Sequence, residues 1–137
     1  MTEFTSDIKT VPHSDESVFS MLSDLTNLER VKALITTDKV KNLTFDRDSC
    51  SMEINPIGKV VFTIVEREPN KTVKFEATSL SVPLNLWIQV KSADTETTKI
   101  KMTLRADLPP FLKPMLSGRI QKGLDEFSDV IAALPYE

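Results

Sequence analysis

His13 and Cys50 are the only histidine and the only cysteine in the chain, and between them they bound the chemistry it can do. A serine or cysteine nucleophile would need His13 as its base. His13, however, stands between Pro12, which ends a strand-like segment, and Ser14, which reads as a helix cap, so an exposed loop position is expected. No glycine-serine-glycine elbow occurs. Cys50 alternates with polar neighbours and reads as an in-facing strand residue, where a thiol is inert. One histidine and one cysteine exclude a structural zinc site. Asp46, Asp48 and Ser49 lack the glycine and the distant glutamate of a calcium loop and make a better turn. With no glycine-rich phosphate loop either, the sequence assigns no catalytic residue, no metal and no cofactor.

Composition narrows the classes further. The 137 residues, 40% of them hydrophobic, fit one domain spanning 1–137 with its own core. Basic and acidic residues number 17 and 20, a net charge of -3, and no basic block is visible, which argues against nucleic acid as a partner. Neither a signal segment nor a transmembrane segment is expected, so the sequence reads as soluble and cytoplasmic.

The elements that would position any site follow from periodicity. Phe4, Ser6, Ile8 and Thr10 alternate with polar neighbours and predict one first strand, ended by Pro12. Ser14, followed by Asp15 and Glu16, caps a short helix with Val18, Phe19, Met21 and Leu22 on its apolar face. Asp24 or Thr26 caps a second helix, with Leu28, Val31, Leu34 and Ile35 on one side. From Lys39 to Asp107 the period changes to two, with breaks at Asp46-Arg47-Asp48-Ser49, Pro56-Ile57-Gly58, Glu68-Pro69-Asn70-Lys71, Pro83 and Asp94-Thr95-Glu96-Thr97. One apolar and one charged face per segment predict an antiparallel sheet wet on one side.

After Leu108-Pro109-Pro110 the period changes again. Leu112, Leu116, Ile120, Leu124, Phe127, Ile131 and Leu134, at spacings of three and four, predict one amphipathic helix from Phe111 to Leu134. Gly118 and Gly123 interrupt it, which is explained by close packing against the sheet or by room left for a ligand. Lys113, Arg119 and Lys122 precede Asp125, Glu126 and Asp129, the reverse of what the helix dipole prefers. A solvated face in which Lys122 pairs with Glu126 accounts for them; a basic rim for an anionic head group is the alternative.

This order of strand, two short helices, six strands and one long helix resembles the helix-grip fold of the Bet v 1-like, START-related superfamily (SRPBCC, polyketide cyclase-like). The segment Phe4 to Pro12 leading into Ser14 to Asp24, the turn Val65-Glu66-Arg67-Glu68-Pro69-Asn70 and the closing helix carry the resemblance. A tryptophan common after the first helix of polyketide cyclase-like proteins is missing. The resemblance implies an α+β fold in which a curved antiparallel sheet wraps a long C-terminal helix, with a hydrophobic cavity between them.

Alternation supplies the expected lining. From the sheet come Ile8, Phe45, Met52, Ile54, Phe62, Ile64, Phe75, Leu86, Ile88, Met102 and Leu104; from the helix come Leu116, Ile120, Leu124 and Phe127, with Gly123 leaving a gap. The expected partner is a small hydrophobic molecule, lipid-like or polycyclic, held by a carrier or sensor. A cyclase or dehydratase would need an acid or base in that cavity, and no residue stands out for it. A homodimer or protein partner would use the outer sheet face, where Trp87 falls among polar residues.

Overall fold

Alternation along the chain builds strands that pair in chain order. In the computed structural model, β3 (Val40–Phe45), β4 (Ser49–Ile54), β5 (Gly58–Glu68), β6 (Thr72–Ala77), β7 (Leu84–Asp94) and β8 (Thr97–Ala106) form an antiparallel meander. Two N-terminal strands, β1 (Thr2–Thr5) and β2 (Lys9–Val11), both pair with the free side of β8 and complete an eight-stranded sheet. Between β2 and β3 lie α1 (Asp15–Leu22), a single 3-10 turn (Leu25–Asn27) and α2 (Leu28–Ile35); α3 (Lys113–Ala132) closes the chain. The structure describes residues 2–35, 40–54, 58–77, 83–134 and 136. The predicted break at Pro56-Ile57 and the side chains of Val31, Leu34, Ile35 and Ile54 lie outside the described part.

The first strand corrects the sequence reading. Thr5 pairs with Thr103 and Lys9 with Ile100, so the N-terminal segment carries one residue more than β8 between those points. The bulge is built on Ser6, whose backbone N–H donates to the Met102 carbonyl while its hydroxyl accepts the Met102 N–H, both at 2.9 Å. An extra residue reverses the alternation beyond it. Phe4 and Ser6 face the core before the bulge and Val11 after it, whereas Ile8, expected to face in, is 64% exposed.

Two other bulges bend the sheet in the same manner. In β3, Asn42 takes a left-handed φ of 54° where the register slips between Lys41 and Thr44, and its amide donates to Glu53. In β5 the register slips at Val65, which turns Arg67 toward the end of α1: its Nε donates to the Ser23 carbonyl at 2.9 Å and its Nη2 meets Asp48 at 2.6 Å. Bulges increase local twist, and an open sheet needs them to curl around a helix.

The helices are capped as the sequence predicts at one end and differently at others. Ser14 Oγ accepts the Ser17 N–H at 3.2 Å to start α1, which buries Val18, Met21 and Leu22 against β6, β7 and β8. Asp24 caps the 3-10 turn rather than α2 directly, and its hydrogen bonds from Thr26 hold its carboxyl below the usual range. Helix α3 is shorter than predicted at both ends. Leu134 and Tyr136 instead fold back into the core, where the fully buried tyrosine donates its hydroxyl to the Ile131 carbonyl at 2.5 Å. The Tyr136 ring lies 5.8 Å from that of His13, which is therefore half-buried rather than the exposed loop residue expected.

The Ser6 hydroxyl is the partner of a buried backbone donor, and an unsatisfied buried donor costs about 1–3 kcal/mol. Ser6→Ala is expected to lower stability by that amount in urea unfolding. Asp7→Ala, at an exposed position of the same bulge, is expected to stay within about 0.5 kcal/mol of the parent.

Candidate functional site

The inner face of the sheet is filled unevenly from one end to the other. At the end covered by α1, Val11, Val73, Ile88, Val90 and Ile100 are buried together with Val18 and Met21. Three cross-strand steps away, one row runs Phe45, Cys50, Phe62, Ala77, Leu84 and Ala106 across β3 to β8. Within it Phe45, Phe62 and Leu84 are only half-buried, as are Met52 and Leu104 in the adjoining rows. The inner face is therefore packed as core at one end, while at the other the partly accessible Phe45, Met52, Phe62 and Leu84 stand among the buried Cys50, Val60, Ala77 and Ala106.

Helix α3 follows the same gradient. It approaches β1, β2 and β8. It is fixed there from its middle onward: Gln121 Nε2 donates to the Thr5 carbonyl at 2.9 Å and to Asp125 at 3.1 Å, and Lys9 Nζ meets Asp129 at 2.5 Å. Leu124, Ser128 and Ile131 are buried, while Leu116, Ile120 and Phe127 are half-buried, so the first half of α3 flanks the more open end. The hydrogen bond from Lys9 to Asp129 holds the ammonium above its ordinary range. The predicted pairing of Lys122 with Glu126 does not occur; Asp129 pairs with Lys9 of the sheet, and Asp125 accepts from Gln121 within the helix.

The residues expected to line a cavity thus fall into two groups. Phe75, Leu86, Ile88, Met102 and Leu124 are buried and belong to the core. Phe45, Met52, Phe62, Leu104, Leu116, Ile120 and Phe127 surround them with part of their surface accessible. Gly123 is exposed, and a Cβ there or at Gly118 would meet nothing within 4 Å. Close packing is therefore not the reason for either glycine, and the gap expected at Gly123 is open surface. Leu84 and Leu108, not singled out from the sequence, also present half-buried surface; the alternation of Leu84 with Leu86 was the available signal.

Polar groups on the inner face are committed to the backbone. Thr98 donates to the His13 carbonyl at 2.7 Å, Ser128 to the Asp125 carbonyl at 2.8 Å, and Ser6 serves the bulge. Cys50 is a buried free thiol, and desolvation pushes its pKa up to about 11. Asp46 is likewise engaged in its turn, accepting the N–H groups of Asp48 and Ser49, which holds its carboxyl below the usual range. Among the described residues no group of three or more His, Cys, Asp or Glu could hold a metal ion, and no helix is long and apolar enough to cross a membrane.

The outer face carries a shallow depression of about 470 Å³ over β1, β8 and β7, with Trp87 in it. The indole is flanked by Lys74 at 5.2 Å and Arg105 at 5.5 Å, and Arg105 pairs with Glu3 at 2.9 Å. Trp87 lies on the polar side of its strand, as the alternation predicts, but cations already cover it.

An eight-stranded antiparallel sheet curled toward a long C-terminal helix, with two short helices after the N-terminal strands, is a helix-grip fold. The sequence profile of the family described as "Polyketide cyclase / dehydrase and lipid transport" matches residues 1–132. The chain belongs to this family. The solved structures agree on the fold. Norcoclaurine synthase from Thalictrum flavum, in complex with dopamine and hydroxybenzaldehyde, aligns with a TM-score of 0.75 at 14% identity over 96% of this chain and 84% of that one. A START superfamily protein from Mycobacterium smegmatis aligns with a TM-score of 0.72 at 10% identity, over 95% and 94%. A conserved protein from Geobacillus kaustophilus gives 0.69 at 16% identity, over 95% and 91%. No curated protein matches the chain. Membership in the family brings with it a general role in binding hydrophobic ligands.

Burial of Cys50 has a consequence for alkaline stability. Its folded pKa lies above the ordinary 9.0, so its contribution is complete below pH 9 and is lost as the pH rises toward about 11. Lys9 and Tyr136, the other groups shifted upward, start from 10.5 and 10.0 and act mainly at higher pH. Urea midpoints of the wild type are expected to fall more steeply between pH 9 and 10 than those of Cys50→Ala. Equal slopes in the two proteins would show that the thiol is not desolvated.

Proposed function

We propose that the concave groove binds a small, elongated or polycyclic apolar molecule, and that the protein acts as a cytoplasmic carrier or sensor for it. The observation that carries this reading is the row of half-buried apolar side chains at one end of a face whose other end is packed shut. A protein that needed only a core would gain from burying Phe45, Phe62, Leu104 and Ile120 fully, at about 25 cal/mol per Å². Leaving them partly accessible costs stability and leaves a surface that an apolar ligand can cover.

In this reading Phe75, Leu86, Ile88, Met102 and Leu124 form the floor, and Phe45, Met52, Phe62, Leu104, Leu116, Ile120 and Phe127 the contact surface. Gly123 lies at the rim. The flexible Met52 thioether lets the rim adapt to ligand shape. The family's description includes lipid transport, and the norcoclaurine synthase structure holds two small aromatic compounds within the same fold; both support an apolar or aromatic ligand here. Binding is favoured over a cyclase-like reaction because Thr98, Ser6 and Ser128, the buried polar residues of the described core, are already engaged by backbone groups.

Thermal unfolding in the presence of fatty acids, sterols and aromatic polyketides tests the reading. A ligand at a hundredfold excess over its Kd raises stability by about 2.7 kcal/mol. Ile120→Glu, at a half-buried position and first checked for an unchanged circular dichroism spectrum, is expected to weaken that binding at least tenfold. Leu124→Arg is a poorer probe, since Leu124 is core and a buried arginine destabilises by itself. No stabilisation by any of the three ligand classes, or stabilisation that Ile120→Glu leaves unchanged, would count against the groove.

A further inference from the structure

The start of α3 presents an unusual surface. Phe111, in the turn before the helix, is 75% exposed, and Met115, four residues on, is 68% exposed. Arg119 and Lys122 continue the face of Met115 at spacings of four and three, away from the buried Leu124, Ser128 and Ile131, with the exposed Glu126 one turn further on; Lys113 is exposed in the first turn, on another side of the helix. None of these three cations makes an ion pair with a described residue. The first turn of α3 contains no acidic residue, and its cap residue Leu112 offers no side-chain hydrogen bond. Of these, Lys113 lies in the first turn, where the positive end of the helix dipole disfavours a cation.

We infer that this surface docks the protein on an anionic lipid bilayer, with Phe111 and Met115 entering the interfacial layer and Lys113, Arg119 and Lys122 meeting the head groups. Large apolar side chains beside cations on one helix face fit an interface that is apolar within and negative at its surface. Pro109, Pro110 and Pro114 restrict the backbone around the patch. A second copy would bring the same three cations against these, so self-association through the patch is opposed by charge. The first half of α3 also flanks the more open end of the groove, so docking there would place that end against the lipid. Docking stands on the patch alone, independently of whether the groove holds a ligand.

Co-sedimentation with phosphatidylcholine vesicles, with and without phosphatidylglycerol, tests the inference. Wild type is expected to pellet with the phosphatidylglycerol vesicles and to be released by high salt. Replacing Lys113, Arg119 and Lys122 together by Gln is expected to lower partition on the order of a hundredfold, at about fivefold per cation. Phe111→Ser with Met115→Ser is expected to lower it at least about tenfold. All these positions are exposed, so both variants are expected to keep the wild-type melting temperature and any uptake of a fluorescent fatty acid from solution. Vesicle binding without fatty-acid uptake would leave docking intact and overturn the groove reading. Equal pelleting with and without phosphatidylglycerol, no pelleting, or variants that pellet like the wild type would overturn docking. Binding to polyglutamate with none to the vesicles would also overturn it, in favour of an acidic protein partner.

Discussion

The hydrogen-bonded pair of Ser6 with Met102 decides where the two halves of the N-terminal strand point, and much of the molecule depends on it. Two bonds at one residue, one from the backbone N–H and one to the hydroxyl, keep the ladder with β8 continuous across an inserted residue. Because alternation reverses there, Val11 enters the core and Lys9 comes to face Asp129 on α3. Thr5, just before the bulge, offers the carbonyl that Gln121 meets. The helix is thus tied to the sheet on both sides of a single irregularity.

That anchoring runs from Gln121, at the middle of α3, to the C-terminal end of the helix, and the burial of the face is correspondingly uneven. Where Lys9, Gln121 and the Tyr136 hydroxyl fix the helix, the underlying apolar surface is buried. Toward Leu116 and Ile120 the same kinds of residue remain partly accessible. Changes at Met102 or Ile88, which are fully packed, act on folding, whereas in the proposed reading changes at Phe62 or Ile120 would act on ligand binding.

The architecture was legible from the two changes of period, at Lys39 and at Pro109-Pro110, because strand and helix patterns are long and regular on either side. The burial of Phe75, Leu86 and Met102 was equally legible, since strict alternation holds through β6, β7 and β8. Ile8 was misplaced because a bulge leaves no mark in apolar periodicity: Ser6 and Asp7 look like any polar pair. Arg67 looked like a turn residue for the same reason, although the slip at Val65 turns it toward Ser23. Tyr136 was missed because the apolar stripe was followed only as far as Leu134, while the residue that seals the end of the core lies past the last helical turn. Glycine within a helix pattern proved ambiguous, as Gly118 and Gly123 touch nothing.

An open sheet, unlike a closed barrel, has two rows of backbone groups without neighbours, and each is a template on which another chain could add a strand. Here β3 forms one border and the tandem of β1 and β2 the other. The first is kinked where Asn42 adopts its left-handed conformation, and the second is two short pieces separated by the Ser6 bulge. Neither border offers a long, straight run for templated polymerisation. The irregularities that curve the sheet toward its helix also shield a protein with exposed apolar surface from growth into fibrils.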